Sequence, residues 1–296
     1  INAHLAAIAD LARQQQQTID KLSAQVTPPP PTQARWLKGV VSDWPTDADP
    51  PHHTALGHKL IRVWHNIDWT RGPVAGDFRA LRSYKTTGLK VALRLHTNTP
   101  PPSEARAAAW FDALGNVIGG AADFVGAVNE PNWTPDRWTG TVDQAIAVAR
   151  ACYKALVGKV PVTSICIGNS ESAFERYVRA GLLDHCDIVS FNCYGQSAQQ
   201  HIDCMKLVVE TAKGKPVLVE EFGLHVDSRP GRPGRDVWLR DMPQIIAWHK
   251  ANVTGSCYYR LQHKADPTSQ AMHQALVDAE NKPREPYYAT WRSAAS

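Results

Sequence analysis

Phe124-Val125-Gly126-Ala127-Val128-Asn129-Glu130-Pro131-Asn132-Trp133 is a short apolar run that halts at an amide, an acid and a proline. Such a run, bounded so sharply, reads as a buried strand. Pro131 has no N–H for a strand ladder, so the strand ends there and leaves Glu130 at its tip. A second run, Pro216-Val217-Leu218-Val219-Glu220-Glu221-Phe222-Gly223, also ends in acid. Working outward from these two, a strand-then-helix rhythm holds from Trp36 to the end of the chain. The expected strands are Leu37–Val41, Leu60–Trp64, Leu89–Leu95, Phe124–Val128, Val162–Ile167, Ile188–Phe191, Val217–Val219 and Ser256–Tyr259. Helical spacing appears at Asp77–Thr86, Ser103–Val117, Val142–Leu156, Glu171–Ala180, Ala198–Ala212 and Asp236–Lys250. The stretch Trp44–Lys59 is proline-rich and has room for at most a short helix. Strands alternating with helices imply a parallel sheet, and eight units imply an α/β fold of the (β/α)8 (TIM) barrel type over residues 36–296.

Composition fits a globular chain with a real core: 296 residues, 43% hydrophobic and 20% charged. A net charge of +4 is small for that length and gives no reason to expect a nucleic-acid partner. No apolar stretch approaches the roughly 18 residues of a membrane span. The chain starts at Ile1 without methionine, as a processed form or an expressed fragment would. Six scattered cysteines form no C-x-x-C and no zinc-like spacing; they read as small buried hydrophobes, with one or two disulfides left open.

Residues 1–27 form an N-terminal appendage. Leu5, Ile8, Ala12, Gln15, Ile19, Leu22 and Val26 fall at three- and four-residue intervals, the a/d pattern of a coiled coil with one polar position. This segment would either make a homo-oligomer through residues 1–26 or dock on its own barrel. A stiff Pro-rich linker follows over 28–35.

In (β/α)8 barrels chemistry collects where strands end. The tips here are Ser42-Asp43-Trp44, Trp64-His65-Asn66, His96-Thr97-Asn98, Asn129-Glu130, Asn192-Cys193-Tyr194, Glu220-Glu221 and Tyr258-Tyr259-Arg260. Polar and aromatic residues dominate them, whereas the strand starts carry little beyond Lys90 and Asp187. Two carboxylates at strand tips are the pair that glycosidic-bond hydrolysis uses. Strict alternation would turn one of Glu220 and Glu221 inward and the other toward the helices, and does not say which. The outward one would need a partner, most simply a salt bridge.

"VNEPNW" at the fourth strand and "PVLVEEFG" at the seventh resemble the clan of retaining (β/α)8 glycoside hydrolases that includes family 5 cellulases and mannanases and family 39 xylosidases. The resemblance spans Trp36 to Trp291, and Ala275-Leu276-Val277-Asp278 with Pro286-Tyr287-Tyr288-Ala289 is similar to the clan's closing helix. It implies that Glu130 is the acid/base and, from the E-F-G ending, that Glu221 is the nucleophile. Asn129 would hold the sugar 2-hydroxyl, Tyr194 and Arg62 would support the nucleophile, and His96 would line the subsite floor. Asn192 stands where the clan often has histidine, and Tyr258 and Tyr259 stand where it often has tryptophan. Both departures leave the sugar open.

Ten tryptophans are many for this length. Trp44, Trp64, Trp69, Trp133 and Trp138 fall on or after strand tips, where rings stack on sugar faces; with Tyr259, the expected platforms are Trp44, Trp64 and Trp133. Trp110, Trp248 and Trp291 lie on helices and read as packing. The loop His225–Arg235 carries Arg229, Arg232 and Arg235 and reads as a solvated loop before it reads as a lid. His52, His53, His58 and His65 lack a supporting carboxylate pattern; they read as surface loop residues, and neither a metal nor another cofactor is expected. The function implied is a retaining glycoside hydrolase acting on a polysaccharide or oligosaccharide, outside the cytoplasm or in the cell envelope. The rival is a barrel that binds glycan without cutting it on an oligomeric assembly; intact Glu130 and Glu221 argue against that rival.

Overall fold

The structure, a computed structural model, describes residues 36–42, 49–133, 135–224, 234–261, 275–278, 280 and 282–293. The expected N-terminal helix and linker, Trp44, and residues 225–233 of the arginine loop lie outside the described residues. In chain order the elements are β1 (Leu37–Val41), α1 (Asp49–Ala55), β2 (Leu60–Asn66), α2 (Arg79–Thr86), β3 (Lys90–His96), α3 (Glu104–Val117) and β4 (Phe124–Ala127). There follow α4 (Val142–Leu156), β5 (Val162–Thr163), β6 (Ile167–Gly168), α5 (Glu171–Arg179), β7 (Val189–Gly195), α6 (Ala198–Thr211), β8 (Val217–Leu224), α7 (Arg235–Asn252), β9 (Gly255–Tyr258) and α8 (Tyr287–Ser293).

The strands form one parallel sheet in the order β5-β4-β3-β2-β1-β9-β8-β7-β6. One expected strand, Val162–Ile167, is in fact two short pieces: β5 pairs with β4, and β6 pairs with β7. Bridges Asn129↔Cys166 and Thr163↔Ile188 tie this broken fifth strand to both neighbours and close the sheet. The break frees the Ser164–Cys166 backbone to approach the tip of β4, where Cys166 C=O accepts from Glu130 N–H at 2.7 Å.

Short polar caps start four of the helices that follow the strands. The side chains of Ser103, Thr141, Ser170 and Ser197 each accept a backbone N–H three residues on, and Gln144 completes a capping box with Thr141. Each cap contributes about 1 kcal/mol and sets where its helix begins. The helices bury Trp110, Phe111, Leu114, Trp238, Ile245 and Trp291 against the outside of the sheet. All six cysteines are free and buried, as small hydrophobes.

The interior of the barrel is charged, which its apolar strands do not announce. Arg94 on β3 and Glu220 on β8 form a two-pronged ion pair: Arg94 Nε donates to Glu220 Oε2 at 2.8 Å, and Nη2 donates to Oε1. Arg94 also donates to the backbone carbonyls of Ala127, Val128 and Ser164 and to the hydroxyls of Thr163 and Ser190. Gly126 makes the room, because a Cβ there would sit 2.1 Å from Thr163 Oγ1 and 2.6 Å from Arg94 Nη1.

Alternation fails at β8, and that corrects the expectation for Glu220 and Glu221. Phe191 pairs with Val219 but Asn192 pairs with Glu221, so β8 carries one extra residue, a bulge at Glu220. Both carboxylates therefore reach the interior, Glu220 to Arg94 and Glu221 to the tip. The expected salt bridge of Glu220 exists, inside the barrel.

The histidines also depart from expectation. His53 and His58 are buried, not surface residues: their Nδ1 atoms lie 3.0 Å apart, and Trp291 Nε1 donates to His58 Nε2 at 2.8 Å. The tail helix α8 covers them, and sequence spacing carries no trace of that packing. Among the described residues no group of three or more His, Cys, Asp or Glu is arranged to hold a metal, and no helix is long and apolar enough to cross a membrane.

Candidate active site

At the carboxyl ends of the strands lies a cleft of about 360 Å³ lined by Trp64, Asn66, His96, Glu130, Arg137, Glu221, Tyr259 and Arg260. Glu130 ends β4 in a backbone that no regular strand adopts. Val128 and Glu130 both have left-handed φ, 65° and 49°; for a β-branched residue this is an outlier, costing of order 1–3 kcal/mol. The contortion lets consecutive side chains serve one site. Asn129 Oδ1 accepts from Arg62 Nη2 at 2.9 Å, and Glu130 Oε1 accepts from Asn192 Nδ2 at 2.9 Å. The bulge in β8 does the same for Glu220 and Glu221.

The Asn-Glu-Pro-Asn-Trp motif is thereby resolved residue by residue. Asn132 clamps the backbone of Gly168: its Nδ2 donates to the Gly168 carbonyl at 2.6 Å and its Oδ1 accepts from the Gly168 N–H at 2.9 Å. A Cβ on Gly168 would stand 2.5 Å from Trp133 Nε1 and 2.7 Å from Glu130 Oε1. The Trp133 indole thus lies beside the acid, half exposed at 50%. Gly168→Ala is expected to push the Glu130 carboxyl aside and lower kcat by about 10²-fold, the cost of roughly a 1 Å misplacement. Steady-state kinetics check this, and an unchanged kcat would mean that Gly168 does not set the position of Glu130.

The two acids sit in opposite surroundings. Glu221 Oε2 accepts from the Tyr194 hydroxyl at 2.6 Å, and Oε1 lies 3.0 Å from Arg62 Nη2. Burial pushes the Tyr194 phenol well up, helped by the nearby charges of Glu221 and Glu130, so it stays a donor. Arg62 lies over the Trp64 ring at 3.6 Å and also within 3.5 Å of Glu220. Among the described residues, Glu130 has an amide beside it and no such pair of donors. Burial first, then the charge of Glu221, raise its pKa to about 7, against the Asn192 hydrogen bond and the charges of Arg137 and Arg62. It therefore holds its proton below about pH 7. If Glu130 donates that proton in the first step, kcat/KM falls tenfold per unit as pH rises above about 7, and the fall disappears in Glu130→Gln. A profile that stays flat to pH 9 in the wild type would contradict it.

Of the residues singled out from sequence, Trp64, His96, Tyr259, Glu130 and Glu221 line the cleft. Arg62, Asn192 and Tyr194 stand behind it and hold the acids, and Asn129 accepts from Arg62 beside them. Tyr259 meets Tyr194 edge to face at 5.8 Å, and Trp64 meets His96 in the same way at 5.4 Å. Burial first, then Arg137 and Arg62, lowers the pKa of His96, which keeps the imidazole neutral. Trp69 and Trp138 are core residues whose indole N–H groups donate to the carbonyls of Thr99 and Thr141, not sugar platforms. Sequence reasoning missed Asn66, Arg137 and Arg260 as lining residues. Asn66 and Arg260 stand at the strand tips already read out, whereas Arg137 sits in the loop after β4 with no pattern to mark it.

No family model matches the sequence, and no curated protein matches it. Solved structures do. A glucosidase from Croceicoccus marinus superposes with a TM-score of 0.67 at 13% identity, covering 90% of this chain and 68% of that one. A family 39 glycoside hydrolase from the gut symbiont Bacteroides cellulosilyticus WH2 gives 0.67 at 17% identity, covering 89% and 64%. Fungal β-1,4-galactanases give 0.66 at 12% identity, covering 86% and 98%. The fold is the (β/α)8 barrel of these glycoside hydrolases, as the sequence motifs implied.

Proposed function

We propose that this chain is a retaining glycoside hydrolase that cuts a polysaccharide by double displacement. The observation that carries the reading is one cleft with two carboxyls in opposed environments. Glu130 keeps its proton up to about pH 7, while Glu221 is held by Tyr194 and Arg62. Paired acids pushed apart in this way are how one site supplies an acid and a nucleophile together.

In the first step Glu221 attacks the anomeric carbon while Glu130 gives its proton to the departing glycosidic oxygen. A glycosyl ester on Glu221 forms and the C–O bond to the leaving sugar breaks. In the second step Glu130, now ionised, takes a proton from water, the water oxygen attacks the anomeric carbon, and Glu221 leaves. Two inversions give net retention. Among the buried atoms that make no hydrogen bond with the described residues are Trp64 Nε1 and His96 Nδ1 in the cleft lining and Asn129 Nδ2 behind it. Such atoms are costly to leave unmade, and sugar hydroxyls are the groups that would meet them. The glycoside hydrolases named above share the fold and lend the reading its reaction class.

The test is release of new reducing ends from a panel of plant, bacterial and capsular polysaccharides. It is followed by NMR of the first-formed anomer from whichever glycan is cut. Cleavage with a retained anomer is the expected result. An inverted anomer would overturn the double displacement, and binding without cleavage of any panel member would leave a glycan-binding barrel.

A further inference from the structure

Asn192 stands between two polar partners, and its amide could face them either way round. Nδ2 donates to Glu130 Oε1 at 2.9 Å, and Oδ1 accepts from Cys166 Sγ at 2.8 Å. The two ends of an amide have nearly the same shape, so hydrogen bonds choose between them, not packing. Glu130 does not make the choice. Its protonated carboxyl can accept from Nδ2 with one oxygen or donate its own proton to Oδ1. The choice falls to Cys166. Burial first, then the charge of Glu220, push this thiol well up, against Arg94, Ser190 and Arg62, so it keeps its proton and is a donor. Cys166 and Asn192 are both fully buried.

The break in the fifth strand puts the thiol there. Ser164–Cys166 lies between β5 and β6, and Cys166 is bridged to Asn129. Its carbonyl accepts from the Glu130 N–H at 2.7 Å. This one residue therefore meets Glu130 through its backbone and, by way of Asn192, through its side chain. The Asn192 backbone is fixed separately, its carbonyl accepting from the Asn169 N–H at 2.8 Å. What is left to decide is which way the amide faces.

We propose that Cys166 is a positioning residue for the acid of this site, its thiol holding the Asn192 amide with the nitrogen toward Glu130. This deepens the hydrolase reading and rests on Glu130 as the acid/base. With the nitrogen forward, the amide stabilises the carboxylate that remains once the proton has gone to the glycosidic oxygen. With the oxygen forward, it would repel that carboxylate and accept from the acid form, which raises the pKa. Among the described residues, the titratable and charged groups around Glu130 are Glu221 on β8, Tyr194 on β7, Arg62 on β2 and Arg137 in the loop after β4. A neutral thiol adds no charge to theirs, so the effect of replacing it travels through Asn192 and not through a lost charge.

The test compares Cys166→Ser, which keeps a donor, with Cys166→Val and Cys166→Ala, which do not. The Glu130 carboxyl is titrated by carbon-13 NMR of the full chain without substrate, its signal assigned with Glu130→Gln. Valine and alanine are each expected to move the titration up from about 7 by about one pH unit, while serine leaves it in place. The alkaline limb of kcat/KM on any glycan that is cut should move by the same amount. A thiol that merely filled space would give the opposite order, with valine and alanine the mild changes and serine, a buried hydroxyl, the damaging one. In the wild type the Asn192 side-chain N–H protons should follow the Glu130 titration, a readout that needs no substitution and so no folded variant. Protons that ignore it, a titration unmoved by valine and alanine, or one moved as far by serine would each overturn the proposal and leave the hydrolase reading standing. A titration that moves as expected on a chain that cuts no glycan keeps the orientation of Asn192 and removes the hydrolase reading.

Discussion

Glu221→Gln is expected to lower turnover by on the order of 10⁴-fold or more while the protein stays folded. Glutamine has the shape of glutamate and can still accept from Tyr194, so the cavity behind it survives. It cannot form a glycosyl ester, so the first displacement stops. A second variant gives a readout that a merely structural role would not produce. Glu221→Ala opens space beside the anomeric carbon, and added azide is expected to restore part of the turnover. Its product would be a glycosyl azide of inverted configuration, since only one displacement remains. Glu220→Gln is expected to fail differently, losing stability before chemistry, because Glu220 is engaged by Arg94 and Thr163 below the site. Activity that survives Glu221→Gln and vanishes in a folded Glu220→Gln would exchange the two assignments.

Arg94→Leu is the substitution expected to cost the most stability, about 3–5 kcal/mol, because it strands a buried carboxylate. Glu220 is shut inside the barrel. Burial alone would raise its pKa, but the Arg94 charge and hydrogen bonds, with Arg62 and Ser190, outweigh burial and hold it at about 2. The sign follows from that depression. The pair stabilises the fold fully above the ordinary carboxyl value of 4.5, and the stabilisation is lost as pH falls from there toward 2. Urea unfolding at pH 7 measures the loss directly. In Arg94→Leu the dependence reverses: stability rises as Glu220 is protonated. The double variant Arg94→Leu/Glu220→Leu should recover part of the loss, and only part, since Arg94 also serves three backbone carbonyls. A loss below about 1 kcal/mol in Arg94→Leu would mean that water relaxes the site more than a closed barrel interior allows.

The strands and helices were legible because their periods differ, and four helix starts carry a side-chain cap. Those caps are Ser103, Thr141, Ser170 and Ser197. The acids were legible because a carboxylate at the end of an apolar run has little structural excuse. What escaped were features made by departures from regularity. A bulge has no composition, so nothing in Val219-Glu220-Glu221 says that both carboxylates turn inward. The left-handed backbone at Val128 and Glu130 runs against the preference of those residue types. Gly126 and Gly168 look like strand glycines until the atoms that fill their missing side chains are known. Burial of His53 and His58 depends on α8, more than two hundred residues away in sequence. Arg137 sits in a loop, where sequence carries neither period nor register.

The bulge in β8 makes the site sensitive to length in a way it is not to chemistry. A point substitution between Val217 and Glu221 alters one group and leaves its neighbours at their posts. Loss of a single residue from that stretch would draw the strand back into step with β7 and β9 and restore strict alternation, in which adjacent residues point to opposite faces. One carboxylate would then face the helices, so either Arg94 would lose its partner or the cleft would lose its second acid. Descendants of this chain can therefore exchange residues along β8 more readily than they can shorten it. Among such sequences, a missing glutamate reports altered chemistry, whereas a missing position reports that the whole arrangement has been abandoned.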